Sequence, residues 1–205
     1  MLFRSGSDEI IANLIHAVAS PGATVMAVSP SFVMFKMSTI IAGAKFVSVP
    51  LKEDFSLDWE QVIREAEKHQ PALTFIAYPN NPTGNLFDPV AIRNIIENSP
   101  GLVVIDEAYH AFAGESFMRA LEEYRNLVVM RTLSKLGLAG LRIGYAAARP
   151  EWIHEFDKVR GPYNVGILTQ LVAEKILQHH EILTKQAAEI ISERDRKSTR
   201  LNSSH

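Results

Sequence analysis

The chain contains no cysteine among its 205 residues, which excludes a disulfide framework and thiolate metal sites. Charge of neither sign is in excess. The 21 basic and 23 acidic residues leave a formal net charge of −2, which argues against a dedicated binder of nucleic acid or other polyanions. The apolar runs are far too short for a membrane span, and no charged-then-apolar leader opens the sequence, so a soluble, cytoplasmic protein is expected. The seven histidines show no metal-ligand spacing; His179 and His180 are adjacent and would not share a helical face, so no metal is expected. There is no internal repeat and no low-complexity segment. What remains is an ordinary globular composition, 47% hydrophobic and 21% charged, long enough for one large domain or one and a half.

The two ends read differently from the middle. Leu2-Phe-Arg-Ser5 and Asp195-Arg-Lys-Ser198 can be encoded by opposite strands of one oligonucleotide, and residues 195–205 resemble a translated sequencing-library adapter. Residues 1–5 and 195–205 are therefore set aside as non-native, and the remainder is expected to be an internal fragment of a longer protein.

Between these ends, helical and extended patterns alternate. Ser7, as N-cap, opens a helix with Ile10, Ile11, Leu14, Ile15 and Val18 on one face. Strands are expected over 24–28, 46–49, 72–77, 102–105, 127–130 and 143–147. Helices are expected over 32–42, 57–69 (started at Asp58), 89–98, 150–160 and 168–191, the last long enough to bend. Strand runs this uniformly apolar have no wet face, which predicts an α/β fold with a mostly parallel sheet covered by helices on both faces. Ligands of such sheets sit beyond the carboxyl ends of the strands. Asn81, Asp106 and the 132–135 turn all follow predicted strands, so one rim should carry them all. Gly161-Pro162 is the expected boundary: 6–160 would form a large domain incomplete at its N-terminus, and 161–194 the start of a second, incomplete one.

The chemistry-bearing residues fall in that order along the chain. Lys135 lies in Arg131-Thr-Leu-Ser-Lys-Leu-Gly-Leu-Ala-Gly-Leu-Arg142, where Thr132 and Ser134 supply hydroxyls and Arg142 a forked guanidinium, a donor set suited to phosphate. A lysine acts as a Schiff-base nucleophile only where it is partly desolvated or already condensed; alone in a glycine-rich loop it would be a solvated lysine. Asp106 follows four apolar residues, and a carboxylate there is pushed toward its neutral form unless a cation partners it. A pyridinium N–H is such a partner; a helix cap or ion pair is the plainer role. Glu107 reads as structural or solvent-facing. Tyr109 and Asn81, from Asn80-Asn-Pro-Thr-Gly84, could donate to a ring oxygen, though core packing and an ordinary turn are their plainer roles. Gly6-Ser-Asp8 offers free N–H groups at a helix start, as a second anion anchor or as simple capping. Phe32 could cover a planar ring or pack in the core. Together, an amine, a carboxylate, a phenol, a carboxamide and a guanidinium suit an enzyme holding pyridoxal 5'-phosphate (PLP).

The ordered set Gly-Ser-Asp-Glu, Tyr-Pro-Asn-Asn-Pro-Thr-Gly, Val-Ile-Asp-Glu-Ala-Tyr and Arg-Thr-Leu-Ser-Lys resembles the fold-type-I PLP enzymes, the aspartate aminotransferase superfamily, over residues 6–194. Within it the chain is most similar to the histidinol-phosphate aminotransferase branch. The resemblance implies that Lys135 carries the cofactor and shuttles a proton, and that Asp106 pairs with the ring nitrogen. Asn81 and Tyr109 would then bind the ring oxygen and Phe32 would stack on the ring. The phosphate would be held by Ser7 and Asp8 backbone groups with Thr132, Ser134 and Arg142. Many members place one more residue between the lysine and the arginine, so the reach of Arg142 is a point for the structure. The family's substrate-binding arginine and the tyrosine lent by a partner subunit both lie outside this sequence. The implied activity is transamination between histidinol phosphate and 2-oxoglutarate, with an amino donor and a 2-oxo acid as partners, in a homodimer. The same residues would serve a decarboxylase of a phosphorylated amino acid, or an aromatic or aspartate aminotransferase. A chain shortened at both ends could also be catalytically incompetent.

Overall fold

The computed structural model describes residues 2–4 and 6–202, with side chains over 6–197; Met1, Ser5 and residues 203–205 of the two set-aside ends lie outside the described residues. Strands β1 (Leu2–Arg4), β2 (Thr24–Ser29), β3 (Lys45–Pro50), β4 (Leu73–Ala77), β5 (Leu102–Asp106), β6 (Leu127–Thr132) and β7 (Gly144–Ala148) form one seven-stranded sheet in the order β1-β7-β6-β5-β4-β2-β3. β2, β3, β4, β5 and β6 are parallel neighbours, while β7 runs antiparallel to both β6 and β1. The α/β class and the mostly parallel sheet expected from the sequence are what the structure has.

The helices are α1 (Ser7–Val18), α2 (Val33–Ile41), α3 (Trp59–His69), α4 (Pro89–Asn98), α5 (Pro150–Lys158), α6 (Ile167–Leu177) and α7 (His180–Asn202). α1, α3 and α4 each bury an apolar stripe, α2 buries Phe35 with Ser38 and Thr39, and alternate strand residues supply the opposing surface. On one face Ile10, Ile11, Leu14, Ile15, Phe35 and Phe156 from α1, α2 and α5 pack on Val25, Phe75, Val104 and Val128. On the other, Val62, Ala66, Ile92, Ile95 and Ile96 from α3 and α4 pack on Met26, Ile76, Val103, Ile105 and Val129. β4 and β5 are buried along their whole length and, Thr74 and Asp106 aside, apolar, as in a sheet covered on both sides.

Several local expectations change. The first helix is capped by Gly6, not Ser7: Gly6 holds φ 96°, and Ser7 is already the first helical residue. Asp58 does cap α3, its carboxylate accepting from Gln61 N at 3.0 Å. The long C-terminal helix is divided between Leu177 and His180, and its second part continues through the set-aside tail to Asn202. At the other end, residues 2–4 add an edge strand where none was expected. Short 3₁₀ turns at His110–Phe112, Met118–Glu122, Ser134–Leu136 and Ala139–Leu141 also escaped the sequence, being too short to show a period. Among the described residues no helix is long and apolar enough to cross a membrane.

The β4–β5 connection leaves no room for a side chain at Gly101, where an added Cβ would lie 2.4 Å from the carbonyl oxygens of both Pro71 and Ala72. Gly101→Ala should therefore destabilise the chain by about 2–3 kcal/mol. Asp58→Ala, which removes one cap, should cost about 1 kcal/mol. Urea unfolding of the two variants side by side checks the order, and equal midpoints would contradict the backbone clash.

Candidate active site

The carboxyl ends of β2, β4, β5 and β6 border one pocket. Leaving β2, the chain passes Ser31 to Phe32, whose ring lines the pocket from the start of α2. Leaving β4, it makes the turn that holds Asn80 and Asn81. Asn80 is buried and knits this turn to the one after β2: its Oδ1 accepts from Ser31 Oγ at 3.1 Å, and its Nδ2 donates to Pro30 O at 3.0 Å and Thr83 Oγ1 at 2.7 Å. With Asn80 committed to the turn, its neighbour Asn81 lines the pocket.

Asp106 ends β5 and is 4% exposed. Its Oδ1 accepts from Ala108 N at 3.0 Å. Burial pushes its pKa up from 3.8 to about 7; the Ala108 hydrogen bond opposes this, the charges of Asp8 and Glu107 add to it, and Lys135 pulls it down. A buried carboxyl facing a pocket, half-protonated near neutrality, is suited to a cationic N–H as partner. Tyr109, three residues on, lines the same pocket, and Lys135 Nζ stands 5.2 Å from the centre of its ring, within cation–π range.

Lys135 sits in the 3₁₀ turn that follows β6. Thr132 anchors this turn: Ser134 N donates to its Oγ1 at 3.1 Å, and Thr132 Oγ1 lies 3.0 Å from Ser134 Oγ and 3.2 Å from Ile143 O. Gly137, at φ 86°, lets the chain reverse, and a second 3₁₀ turn brings it back to Arg142. Arg142 does reach the pocket despite the short loop. Its Nη2 lies 3.7 Å from Asp8 Oδ2 at the start of α1, and 2.6 Å from where a Cβ on residue 6 would stand, so a larger residue there would make the guanidinium shift. Ser7, Asp8, Thr132, Ser134 and Arg142 thus form one corner of the pocket, rich in donors and at the positive end of a helix.

All ten residues singled out in the sequence line this one pocket, with Ala77, Pro79 and Ala108 as small apolar wall. The amine and the buried carboxyl are on hand for a ring that carries a carbonyl and a basic nitrogen, and the donor corner for its anionic arm. The donor set therefore fits PLP. Among the described residues no cluster of side chains could hold a metal ion.

Of the two roles expected for Glu107, structural or solvent-facing, the structure has the first: its side chain is fully buried and Arg131 Nη2 reaches its Oε2 at 2.7 Å. Arg131 was the available signal, because a guanidinium inside the apolar strand Leu127–Thr132 requires a carboxylate nearby.

The profile of the family described as "Aminotransferase class I and II" matches residues 1–204. The chain is 50% identical over 197 residues to the histidinol-phosphate aminotransferase of Chromobacterium violaceum, covering 96% of this chain and 55% of that protein. It is 51% identical over 201 residues to histidinol-phosphate aminotransferase 2 of Cupriavidus pinatubonensis, with the same coverage of 96% and 55%. The chain thus spans about half the length of the curated relatives it matches. Among solved structures, the histidinol-phosphate aminotransferase of Sinorhizobium meliloti in complex with pyridoxal-5'-phosphate superposes with a TM-score of 0.87 at 26% identity, covering 95% of this chain and 54% of that one. That of Clostridium acetobutylicum superposes with a TM-score of 0.88 at 23% identity, over 98% and 61%, and shows the shared fold. On profile and identity together, the chain belongs to the class I and II aminotransferases.

Proposed function

We propose that this chain is the PLP-binding part of an aminotransferase that exchanges amino groups between histidinol phosphate and 2-oxoglutarate. The observation that carries the reading is the convergence of Lys135, the buried Asp106 and the Arg142 corner on one pocket. Support for the substrate comes from the curated relatives, which are named histidinol-phosphate aminotransferases at about 50% identity. A working homodimer in the cytoplasm belongs to the same proposal, as does a division at 161 that makes α6 the start of a second unit. Ile167, Leu168 and Leu171 on α6 are more than half exposed, consistent with a helix meant to pack on something further.

PLP, when bound, supplies an electrophilic carbon and a ring that delocalises the electron pair left when a substrate Cα–H bond breaks. The residues of the chain do the rest. Asp106 holds a proton on the ring nitrogen, where burial strengthens the charge pair. Asn81 and Tyr109 donate to the ring oxygen, and Phe32 covers one face of the ring. Arg142, Thr132, Ser134 and the N–H groups of Ser7 and Asp8 hold the phosphate, which fixes where the ring can lie. Lys135 would hold the cofactor through its amine and, once an amino donor replaced it there, would serve as the base that moves the proton from the substrate Cα.

Titration of the chain with PLP should produce a new visible absorbance band that Lys135→Ala abolishes, and borohydride should fix the cofactor's mass on Lys135. A folded chain giving the same spectrum with and without Lys135 would refute the site. Arg142→Ala should weaken PLP binding by about 10- to 100-fold, the worth of a charge-assisted phosphate contact. Inorganic phosphate should compete with PLP for the wild type and only poorly for the variant. In the cofactor-free chain, Asp106 binds its proton more tightly folded than unfolded. The Asp106 contribution to stability should therefore be fully present below about pH 4 and be lost, by up to about 4 kcal/mol, as pH rises through about 7. Asp106→Asn should lack this decline, so the variant gains on the wild type as pH rises. Denaturation at pH 4.5 and 8 measures the difference, and parallel curves for the two proteins would remove the buried-carboxyl argument.

A further inference from the structure

Glu107 and Arg131 line no part of the pocket, yet each is the chain neighbour of a residue that does. Glu107 follows Asp106 at the end of β5, and Arg131 precedes Thr132 at the end of β6. Successive residues of a strand point to opposite faces of a sheet. Asp106 therefore faces the α1 side with Val104, while Glu107 faces the α3–α4 side beyond Ile105. The same alternation puts Met130 on the α1 side and Arg131 on the other, so the two charges meet beneath the sheet.

There the contact is dense. Glu107 Oε2 accepts from Arg131 Nε at 2.9 Å, Arg131 Nη2 at 2.7 Å and Ser116 Oγ at 3.0 Å. Its Oε1 accepts from Phe117 N at 2.6 Å. Phe117 in turn meets the ring of Tyr78 edge-on at 5.3 Å, and Tyr78 leads into the turn that carries Asn81. Backbone bonds follow the same route: Tyr78 N donates to Asp106 O, and Glu107 N to Met130 O, both at 2.8 Å. One buried carboxylate thus joins the ends of β4, β5 and β6, from which Asn81, Asp106 and the Thr132–Lys135 turn project.

A buried ion pair is a poor source of stability, because desolvating both charges cancels most of their attraction; an apolar pair of similar size often does as well. What the pair supplies, and an apolar pair would not, is a fixed distance between two strand ends in directional contacts. Pocket groups misplaced by about 1 Å lose much of their effect. Resting on the PLP-binding reading above, we propose that Glu107 and Arg131 are positioning residues. From the far face of the sheet they set the spacing of Asp106 from the Thr132–Lys135 turn, and so the fit of the cofactor.

The test is the double variant Glu107→Gln with Arg131→Met, which removes both charges and keeps an acceptor for Phe117 N. Two quantities are read on the folded, cofactor-free chain and its PLP titration. Amide exchange at Glu107, Ala108 and Ser134 should quicken at least about tenfold, while Val104 and Val129 in the strand interiors change little. The dissociation constant for PLP should rise at least about tenfold. If either quantity stays at its wild-type value, or if exchange quickens equally across all strands, the pair only supports the sheet and the proposal falls. Should the double variant fail to fold, Arg131→Lys, which keeps the charge and loses the fork, is read by the same criteria. A wild-type chain that shows no Lys135-dependent PLP band defeats the cofactor reading instead, and the spacing role is then decided by exchange alone.

Discussion

Parallel direction is the constraint on which the rest of this molecule depends. β2, β4, β5 and β6 run the same way: the connections from β2 through to β5 each return over the sheet through a helix, and the one from β5 to β6 returns through two 3₁₀ turns. Strands that share a direction must end on the same edge, so residues scattered from Phe32 to Lys135 arrive at one rim without any long-range design of loops. β2 and β4 are neighbours whose chains leave in opposite senses, β2 toward the edge strand β3 and β4 toward β5. That divergence opens a crevice, and the Asn80 hydrogen bonds to Ser31 and Pro30 keep its two lips in register.

Charge is managed by the same geometry. Asp106 and Glu107 are adjacent carboxyls, both buried, with opposite circumstances. Glu107 has a guanidinium and two further donors within 3.0 Å and is tied into the scaffold. Asp106, one residue earlier and on the other face, is left to the pocket with a backbone N–H and the field of Lys135, which does not offset its burial. One carboxylate is spent on structure and the other is held ready for a ligand. The alternation of a β-strand is what separates them.

Much of this was legible in the sequence because its signals were local. Apolar runs of four to six residues gave the strands, Asp58 and the Pro89 start gave helix boundaries, and glycines and asparagines marked the turns where chemistry sits. What escaped has physical reasons. Glu107 next to Asp106 looks like a second acid at a strand end, and only the pairing of β5 with β6 brings Arg131 to it. The start of α1 shifted by a residue because Gly6 takes the cap at φ 96°, a conformation that favours glycine, and leaves Ser7 already helical. The 3₁₀ turns carry no periodic pattern, and edge strand β1 is defined by β7 alone.

The lysine turn differs in kind from the other parts of the rim. It joins β6 to β7, antiparallel neighbours in which Thr132 lies opposite Gly144 and Leu133 N donates to Ile143 O. Both feet of the loop are thereby pinned by hairpin pairing, and no helix intervenes. A residue gained or lost between Lys135 and Arg142 changes only the path of the loop, because the register on either side is held by the strands themselves. Insertions and deletions that would turn a buried strand inside out elsewhere in the sheet are absorbed here. The segment that bears Lys135 can therefore change length without shifting either strand it joins.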